Sequence, residues 1–468
     1  MKKLFLYIFL IISSMALVSC YWIAGTSGAN LTLNLSGLSV KAPGDRYARI
    51  YLVANSRIYP LREDTEYVEI PLAPISNPEI QLTLEDIPVG PLYRVWLSIG
   101  TEQSGGWFHT ENWAESDTFE LSPGQETVVP FSEQELLVSP FEPVGTVMGK
   151  KLKDVEHVGG MVYTADSETL YTDLFSALTE IPLEPTYTVN SLTKGLDYSS
   201  QWGNQQLWIN SNKGILPYVV TVAPYFDTNF SSALGPVSIL DSAARNTTVQ
   251  YQHIVFFRRE NGLGGVLILP DFVPTDWTWV NKDYKGITDL IAAYGDSTYS
   301  TYNGDAYFAS TTGAFRLASD LLTDPDLNKH RTPFSAPSRV ISLGLQDING
   351  DGDQIFMGTE NGAWYASPTY DASVIGVPQF ETGTEGHRIL MTSVSDYPHH
   401  RAYFSAIYLL IVTMNPSSGS ETLSVYPIVA GLPGKMTGMT WQTVTTDDYY
   451  LYVSGEEGLV RIYVSPYL

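Results

Sequence analysis

Residues 353–367 have the sequence DQIFMGTENGAWYAS, and this stretch carries the pattern that decides the fold. Apolar and polar residues alternate on both sides of Asn361-Gly362, which is typical of half-buried strands. Asn and Gly both tolerate positive φ, so this pair favours a tight turn. The stretch therefore predicts two adjacent antiparallel strands joined as a hairpin.

Similar hairpin patterns recur along two thirds of the chain. They begin at Met161, Leu207, Ile254, Ala306, Gln354, Tyr408 and Tyr450. The turn glycines Gly214, Gly262, Gly313 and Gly362 are separated by 48, 51 and 49 residues, and Gly458 follows 96 residues later. A repeat of this length made of short strands is typical of propeller blades. The repeats predict a seven-bladed β-propeller over residues 144–468.

Further apolar runs precede several hairpins and predict the innermost strand of each blade. They lie at residues 286–293, 340–345 and 436–443. The last repeat ends at Leu468, directly after its third strand, so its fourth strand must come from elsewhere. We expect Val144–Leu152 to supply that strand, because closing the ring removes exposed sheet edges.

The sequence GTENGAWYAS at residues 358–367 resembles the propeller repeats of bacterial sensor ectodomains and related exported proteins, in which Thr-x-Asn-Gly joins two strands. Residues 354–366 match this pattern well, and the other repeats match it in outline. The resemblance implies a seven-bladed propeller. It does not imply a ligand, because propellers host many unrelated functions.

The part of the chain before the repeats also has the pattern of a β-domain. Seven short β-rich runs lie at residues 31–40, 48–54, 67–72, 80–87, 93–99, 118–121 and 126–131. With Gly- and Pro-containing turns between them, they predict a β-sandwich of immunoglobulin-like or prealbumin-like shape over residues 30–132. LEDIPVGPLYRVWLSIG, at residues 84–100, resembles carrier-type sandwich modules of bacterial exported proteins, which implies a spacer or a weak binding unit. Residues 133–143 lack periodicity and are interpreted as a linker, so the whole chain is expected to be all-β.

The first twenty residues, MKKLFLYIFLIISSMALVSC, have a basic start and a short apolar run, which is typical of an export signal. The final LVSC resembles the lipobox of bacterial lipoproteins, which implies cleavage after residue 19 and a lipid, including palmitate, on Cys20. Cys20 is the only cysteine, so it has no disulfide partner within the chain. An ordinary signal peptide cut nearby is the alternative. Residues 20–29 would be a tether, and Tyr21 in place of Asp favours the outer membrane over the inner membrane.

Composition narrows the class of partner. The chain has 468 residues, 44% of them hydrophobic and 16% charged, with a formal net charge of -24. An acidic protein repels a phosphate backbone, so nucleic acid is not expected as a partner. The expected partners are the membrane, through the lipid, and a protein or glycan.

The sharpest local motif is the acidic segment DINGDGD at residues 347–353. Asp347, Asn349, Asp351 and Asp353 place oxygen side chains at alternate positions, as in a Ca²⁺-binding loop. Hydrophobic and glycine residues stand where such loops need later acidic ligands, so the loop is truncated. A Ca²⁺ site and a plain Asn/Asp/Gly turn both remain open, and no other cofactor is expected.

Aromatic residues suggest a ligand-binding surface. Trp277, Trp279 and Tyr284 lie in a segment with the character of a loop, and exposed rings can stack on sugars or on peptide side chains. Packing between blades is the alternative. His399 and His400 are expected to be surface loop residues, because neighbours on a strand point to opposite faces and cannot easily chelate one ion.

No catalytic pattern is recognisable in the sequence. It contains neither a Gly-x-Ser-x-Gly elbow nor a phosphate-binding loop, and Glu360, Glu456 and Glu457 are interpreted as turn residues. The chain is therefore interpreted as a non-enzymatic binding or scaffolding module of the envelope. The alternative is a hydrolase or lyase acting on polysaccharide, which predicts converging carboxylates with perturbed pKa values at the channel mouth.

Overall fold

A computed structural model describes the chain at residues 28–37, 46–54, 57–61, 66–72, 81–132, 136–175, 177–197, 205–220, 224–226, 237–246, 253–269, 278–284, 287–292, 306–310, 313–317, 331–334, 338–346, 354–366, 379–385, 387–390, 400–415, 418–445 and 448–465. Within these ranges the elements are strands, apart from the short 3-10 helices Glu260–Gly262 and Ile428–Ala430. No helix in the described part of the chain could cross a membrane. The chain forms two compact units, one reaching Ser139 except for Gln103–Trp107, the other consisting of those residues and everything from Pro140.

The described residues of the first unit form ten strands. They are β1 (Ala29–Gly37), β2 (Arg46–Ala54), β3 (Arg57–Tyr59), β4 (Val68–Pro71), β5 (Gln81–Ile87), β6 (Leu92–Glu102), β7 (Phe108–Glu115), β8 (Phe119–Glu120), β9 (Glu126–Ser132) and β10 (Leu137–Val138). One sheet has the order β5-β1-β9, with β1 antiparallel to β5 and parallel to β9. The other has the order β10-β7-β6-β2-β3, with β4 added to β2 and β8 added to β6.

Alternating apolar residues join the two sheets in one core. Leu31 and Leu33 of β1 are buried together with Ile50 of β2 and Leu97 of β6. All seven predicted runs overlap observed strands, but β3, β7 and β10 were not predicted. In β7 the polar Thr110 is buried and bonds the hydroxyl of Ser98 at 2.8 Å, so its inward face does not look apolar in the sequence.

The second unit is built from consecutive small sheets. Its first strand is β11 (Glu142–Pro143). The next three sheets are formed by β12 (Asp154–Val158), β13 (Met161–Ala165), β14 (Thr169–Thr172) and β15 (Thr179–Pro182); β16 (Val189–Asp197), β17 (Gln205–Ser211), β18 (Gly214–Val220) and β19 (Tyr225–Phe226); and β20 (Ile239–Asn246), β21 (His253–Arg259), β22 (Leu263–Leu269) and β23 (Thr278–Tyr284).

The remaining sheets continue the same order. They are formed by β24 (Ile287–Ala292), β25 (Ala306–Ser310), β26 (Gly313–Leu317) and β27 (Arg331–Phe334); β28 (Val340–Gln346), β29 (Gln354–Thr359), β30 (Gly362–Ala366) and β31 (Gln379–Phe380); β32 (His400–Phe404), β33 (Tyr408–Met414) and β34 (Glu421–Pro427); and β35 (Met436–Thr443), β36 (Tyr449–Gly455) and β37 (Gly458–Val464) with β11. Each sheet is an antiparallel meander, and the hairpins predicted from the sequence are present in it.

The first strands of successive sheets contact one another. Strand β12 contacts β16, β16 contacts β20, β20 contacts β24 and β24 contacts β28. In addition, β35 of the last sheet contacts β12, so the two ends of the repeat region meet. Beside the three-stranded sheet, Leu390 exchanges backbone hydrogen bonds with Phe404, so residues 389–390 occupy the first-strand position there. Meander sheets stacked through their first strands and closed on themselves form a β-propeller.

Strand β11 closes the last sheet. Glu142 lies opposite Arg461, and Pro143 lies opposite Val460. The prediction that residues 144–152 supply this strand was therefore wrong in position. The strand does come from just before the first repeat, as predicted. That segment instead bonds the end of the same sheet, where the Val144 N–H donates to the Leu459 carbonyl at 2.9 Å.

A β-bulge near the start of the first strand recurs in five sheets. The register shifts lie at 189/191, 239/241, 287/289, 340/342 and 436/438. Side chains at the bulges reach beyond their own sheets. Thr288 Oγ1 donates to the Val340 carbonyl of the next sheet at 3.0 Å, and Thr437 Oγ1 donates at 3.1 Å to the carbonyl of Leu152, two residues before β12. The bulges therefore aim polar side chains at neighbouring sheets.

The turn at Asn361-Gly362 differs in detail from the prediction. Gly362 has φ +86°, but Asn361 is not among the residues with positive φ. The hydroxyl of Thr359 accepts a hydrogen bond from the Asn361 N–H at 3.1 Å and donates one to the Gly362 carbonyl at 2.8 Å. With these two hydrogen bonds from the Thr359 side chain, the hairpin turn needs only one residue in the left-handed conformation, Gly362.

Candidate functional site

Three carboxylates occupy equivalent positions at the starts of first strands, each two residues after a buried apolar residue. They are Asp154, Asp241 and Asp289, which we call the inner carboxylates, and all three are partly buried. Ser191, Ser342 and Gly438 occupy the same position in other sheets. Each of these residues except Asp154, with which β12 begins, directly follows a β-bulge.

The inner carboxylates bond the backbone of neighbouring sheets. Asp154 accepts the Val155 N–H at 2.8 Å and the Leu192 N–H of the next sheet at 2.9 Å. Asp289 accepts the Leu343 N–H of its next sheet at 2.5 Å. These contacts tie consecutive sheets together.

Burial raises the pKa of each inner carboxylate. For Asp289 the nearby charge of Asp241 raises the pKa further, and a hydrogen bond joins the two side chains. For Asp241, burial raises the pKa while Arg258 and the hydroxyl of Thr193 oppose the rise. Two carboxyl groups that hydrogen-bond each other hold a proton between them.

A second group of residues forms a partly exposed aromatic surface where the last sheet meets the first. We define the aromatic surface as Phe175, Tyr450, Tyr452, Arg461 and Tyr463. The Arg461 guanidinium lies 4.1 Å from the centroid of the Phe175 ring and 4.5 Å from that of Tyr450. Phe175 is 50% exposed and Tyr463 is 44% exposed. The surface therefore offers rigid rings to solvent.

The aromatic surface is held in place from several sides. Glu142 accepts bonds from Arg461 Nε at 2.7 Å and Nη2 at 2.9 Å, a bidentate pair. Tyr452 is buried and its hydroxyl donates to the Gln442 side chain at 2.8 Å. Although burial opposes the charged form, the hydrogen bonds that Arg461 donates to Glu142 and Tyr452 raise its pKa, so the guanidinium stays charged.

Alternation on two adjacent strands places these side chains on one face. Tyr450 and Tyr452 are two apart on β36, and they lie opposite Tyr463 and Arg461, which are two apart on β37. The sequence YLYVSGEEGLVRIYV carries this signal. Phe175, however, lies in the turn between β14 and β15 and is brought near only by ring closure.

Most residues predicted as sites lie outside the described residues. These are Cys20, Trp277, and the loop residues Asp347, Asn349, Asp351 and Asp353. Among the described residues, no cluster of three or more His, Cys, Asp or Glu side chains could hold a metal.

Trp279 and Tyr284 are described, and they differ from the expectation of a loop. Both lie in β23, the fourth strand of its sheet, opposite Leu267 and Gly264. The expectation failed because Trp and Tyr both favour strands.

The histidine expectation was wrong for His400. It is fully buried in β32, with its ring 5.8 Å from that of Trp441 and 5.0 Å from that of Tyr449. A histidine pair in sequence does not show that one member lies in an aromatic core. Glu360, Glu456 and Glu457 are turn residues as expected.

No protein-family model matches the chain, and no curated protein does. Among solved structures it is similar to BBS1N in complex with ARL6DN, at 12% identity and a TM-score of 0.45, covering 70% of this chain and 98% of that chain. It is similar to YCF48 from Cyanidioschyzon merolae, at 10% identity and a TM-score of 0.43, covering 69% and 98%. It is also similar to the extracellular domain of BT4673 from B. thetaiotaomicron, at 10% identity and a TM-score of 0.45, covering 81% and 57%. These likenesses say nothing about what this chain binds.

Proposed function

We propose that this protein is a lipid-anchored binding or scaffolding module of the bacterial cell envelope that engages a protein or glycan partner without catalysing a reaction. The observation that carries the proposal is the aromatic surface, because half-exposed Phe175 and Tyr463 are fixed beside a paired Arg461. Tyr and Arg are the residues most enriched where binding energy concentrates, and rings held rigid lose little entropy on binding.

The proposed architecture is a β-sandwich of immunoglobulin-like or prealbumin-like shape followed by a seven-bladed propeller. Support for seven blades comes from the seven sheets that the described part of the second unit contains. Support for the sandwich comes from the single core shared by the two sheets of the first unit.

The binding role is tested with the purified full-length protein on arrays of glycans and of envelope proteins. We expect specific retention of a partner, and at least tenfold weaker retention by the double variant Phe175→Ala, Tyr463→Ala, a typical loss for two contact residues. Tyr225→Ala is the matched control, because Tyr225 is 54% exposed on β19 and lies outside the aromatic surface. Retention of no partner by the wild-type protein would contradict the proposal.

The anchor is proposed to be a lipid on Cys20, with the protein sorted to the outer membrane rather than the inner membrane. The lipobox-like LVSC and the single cysteine support this assignment. We expect palmitate labelling and membrane fractionation of the wild type, and loss of both in Cys20→Ser. Labelling that persists in the variant would show that the anchor lies elsewhere.

A second candidate function is hydrolysis or elimination on polysaccharide. The observation that favours it is the convergence of Asp241 and Asp289. Burial raises the pKa of both carboxyl groups, and the nearby charge of Asp241 raises the pKa of Asp289 further. Their bonds to neighbouring backbone support a structural role instead. Depolymerisation of a polysaccharide by the wild type that is lost in Asp241→Asn, with thermal stability unchanged, would favour the enzyme.

A further inference from the structure

We propose that the aromatic surface docks a basic segment of a partner protein, rich in Arg or Lys side chains. This inference rests on the proposed binding function and names the chemistry of the partner. The proposed occupant is a cation, because the rings and the carboxylate of this surface already bind the guanidinium of Arg461.

Arg461 shows what kind of group the surface binds. Its guanidinium lies against the Phe175 and Tyr450 rings, at 4.1 and 4.5 Å, while its nitrogens bond the carboxylate of Glu142. Aromatic rings attract cations through their negatively charged faces, and a carboxylate completes the site. Because Phe175 is only half covered, part of its ring remains open to a partner.

The charges around the rings complement a basic partner. Asp173 precedes Phe175 by two residues and is exposed, and Glu142 is exposed on the outer strand. The carboxylate of Asp448 bonds the Tyr463 hydroxyl, which lowers the pKa of Asp448 and keeps it charged. Two cations stand nearby: Arg461 within the surface, and Lys150, which lies against the Tyr171 ring and pairs with Glu180 at 3.5 Å. The whole chain has a net charge of -24. The local field therefore attracts cations and repels anionic partners.

The rings are preorganised. The Tyr450 ring lies 6.2 Å from that of Tyr452 and 5.5 Å from that of Tyr463, and the Phe175 ring lies 6.0 Å from Tyr452. Tyr452 is buried, so the exposed rings are fixed to the core of the sheet. A partner side chain would meet a surface that needs little ordering, which favours docking of a flexible segment.

The test uses the detergent-solubilised full-length protein and a capped, fluorescent peptide of alternating Gly and Arg. The same peptide with citrulline in place of Arg is the uncharged control. We expect the Arg peptide to bind, the citrulline peptide not to bind, and added salt to weaken binding. Phe175→Ala with Tyr463→Ala is expected to weaken binding about tenfold, because it removes the open rings without changing the net charge.

Two further variants distinguish binding at the aromatic surface from attraction by the net charge of the whole protein. Tyr225→Ala keeps the charge and is expected to bind as the wild type does, and Asp448→Asn is expected to bind more weakly with a smaller salt dependence. Circular dichroism and melting temperatures verify folding of each variant.

Equal binding by the wild type and the double variant would overturn the inference, because attraction by the net charge alone would explain it. Retention of a neutral hexasaccharide instead of the Arg peptide, lost in the double variant, would also overturn it. In that case the proposed binding function would stand with a glycan partner. Failure of the proposed function itself is judged by the array experiment, which uses no basic probe.

Discussion

The proton held between Asp241 and Asp289 couples two neighbouring sheets to pH. Both pKa values lie above their ordinary range because the side chains are buried, and Asp154 behaves in the same way. A carboxyl whose pKa is raised on folding contributes stability that is fully present below the unfolded pKa, and that contribution is lost as pH rises through the folded pKa. The inner carboxylates therefore favour the folded state in mild acid.

We predict that Asp289→Asn reduces this pH dependence. An amide can still accept the Leu343 N–H and can donate to Asp241 without a titrating proton. Between about pH 5 and about pH 8 the wild type should lose roughly 1–3 kcal/mol more unfolding free energy than the variant. Thermal melts at both pH values measure the difference. Asp173→Asn is the surface control and should keep the wild-type profile, and a profile unchanged in Asp289→Asn would refute the shared proton.

Arg401 offers a second test because it bonds two carboxylates of different exposure. Its side chain is 2% exposed, and Nη2 lies 2.8 Å from Glu381, which is 5% exposed, and 2.6 Å from Glu421, which is 44% exposed. We predict that Glu381→Gln costs about 3 kcal/mol of unfolding free energy, because it leaves a buried cation undercompensated. Glu421→Gln should cost about 1 kcal/mol or less, since water screens that pair. Urea unfolding of the two variants measures both losses of unfolding free energy. Equal losses would contradict the expected dependence on burial.

At the scale of elements, a hydroxyl before the turn recurs in the hairpins. The Ser211 hydroxyl accepts from the Lys213 N–H at 3.2 Å and donates to the Gly214 carbonyl at 2.8 Å. The Thr359 hydroxyl makes the same two hydrogen bonds in its own turn. Gly214 also has positive φ, +116°. Ser/Thr-x-x-Gly is therefore a hairpin turn motif that two blades share.

We predict that Thr359→Val lowers the unfolding free energy by about 1–3 kcal/mol, because it leaves the Gly362 carbonyl and the Asn361 N–H without the hydroxyl. Thr359→Ser should restore most of the loss, although the methyl group is missing. The melting temperature of the propeller measures both. Equal destabilisation by Val and Ser would mean that packing, and not the hydrogen bonds of the hydroxyl, stabilises this turn.

Alternation made the strands predictable, and its interruptions explain what was missed. The hairpin at residues 354–366 follows the rule of period two, and it is present as β29 and β30. Strand β7 was missed because its inward Thr110 is polar and is satisfied by Ser98. Strand β11 was misplaced because two residues, one of them Pro143, carry no pattern, whereas the apolar residues after it do.

At the scale of the whole molecule, the candidate site could not be predicted because ring closure assembles it. Glu142 and Phe175 lie near the start of the second unit, and Arg461 lies near its end. The sequence indicated the aromatic segment of residues 277–284, where rings are dense locally. It could not indicate rings that meet only when β11 joins β37.

Ring closure itself can be tested with a disulfide. Pro143 and Val460 lie opposite each other, and the Val144 bond to Leu459 places them at a position where side chains approach most closely. In a Cys20→Ser background, we predict that Pro143→Cys with Val460→Cys forms a disulfide. By restricting the unfolded chain, it should add up to roughly 5 kcal/mol compared with the reduced form, less any strain.

The matched control places the same bond within one hairpin. Ser454→Cys with Leu459→Cys joins paired residues of β36 and β37 and closes only a short loop, so its oxidation should stabilise the fold much less. The melting temperatures of the oxidised and reduced forms of each pair measure the gain, because the cost of replacing side chains cancels within a pair. If the long-range pair did not oxidise, or gained no more than the local pair, β11 would not be the strand that closes the propeller.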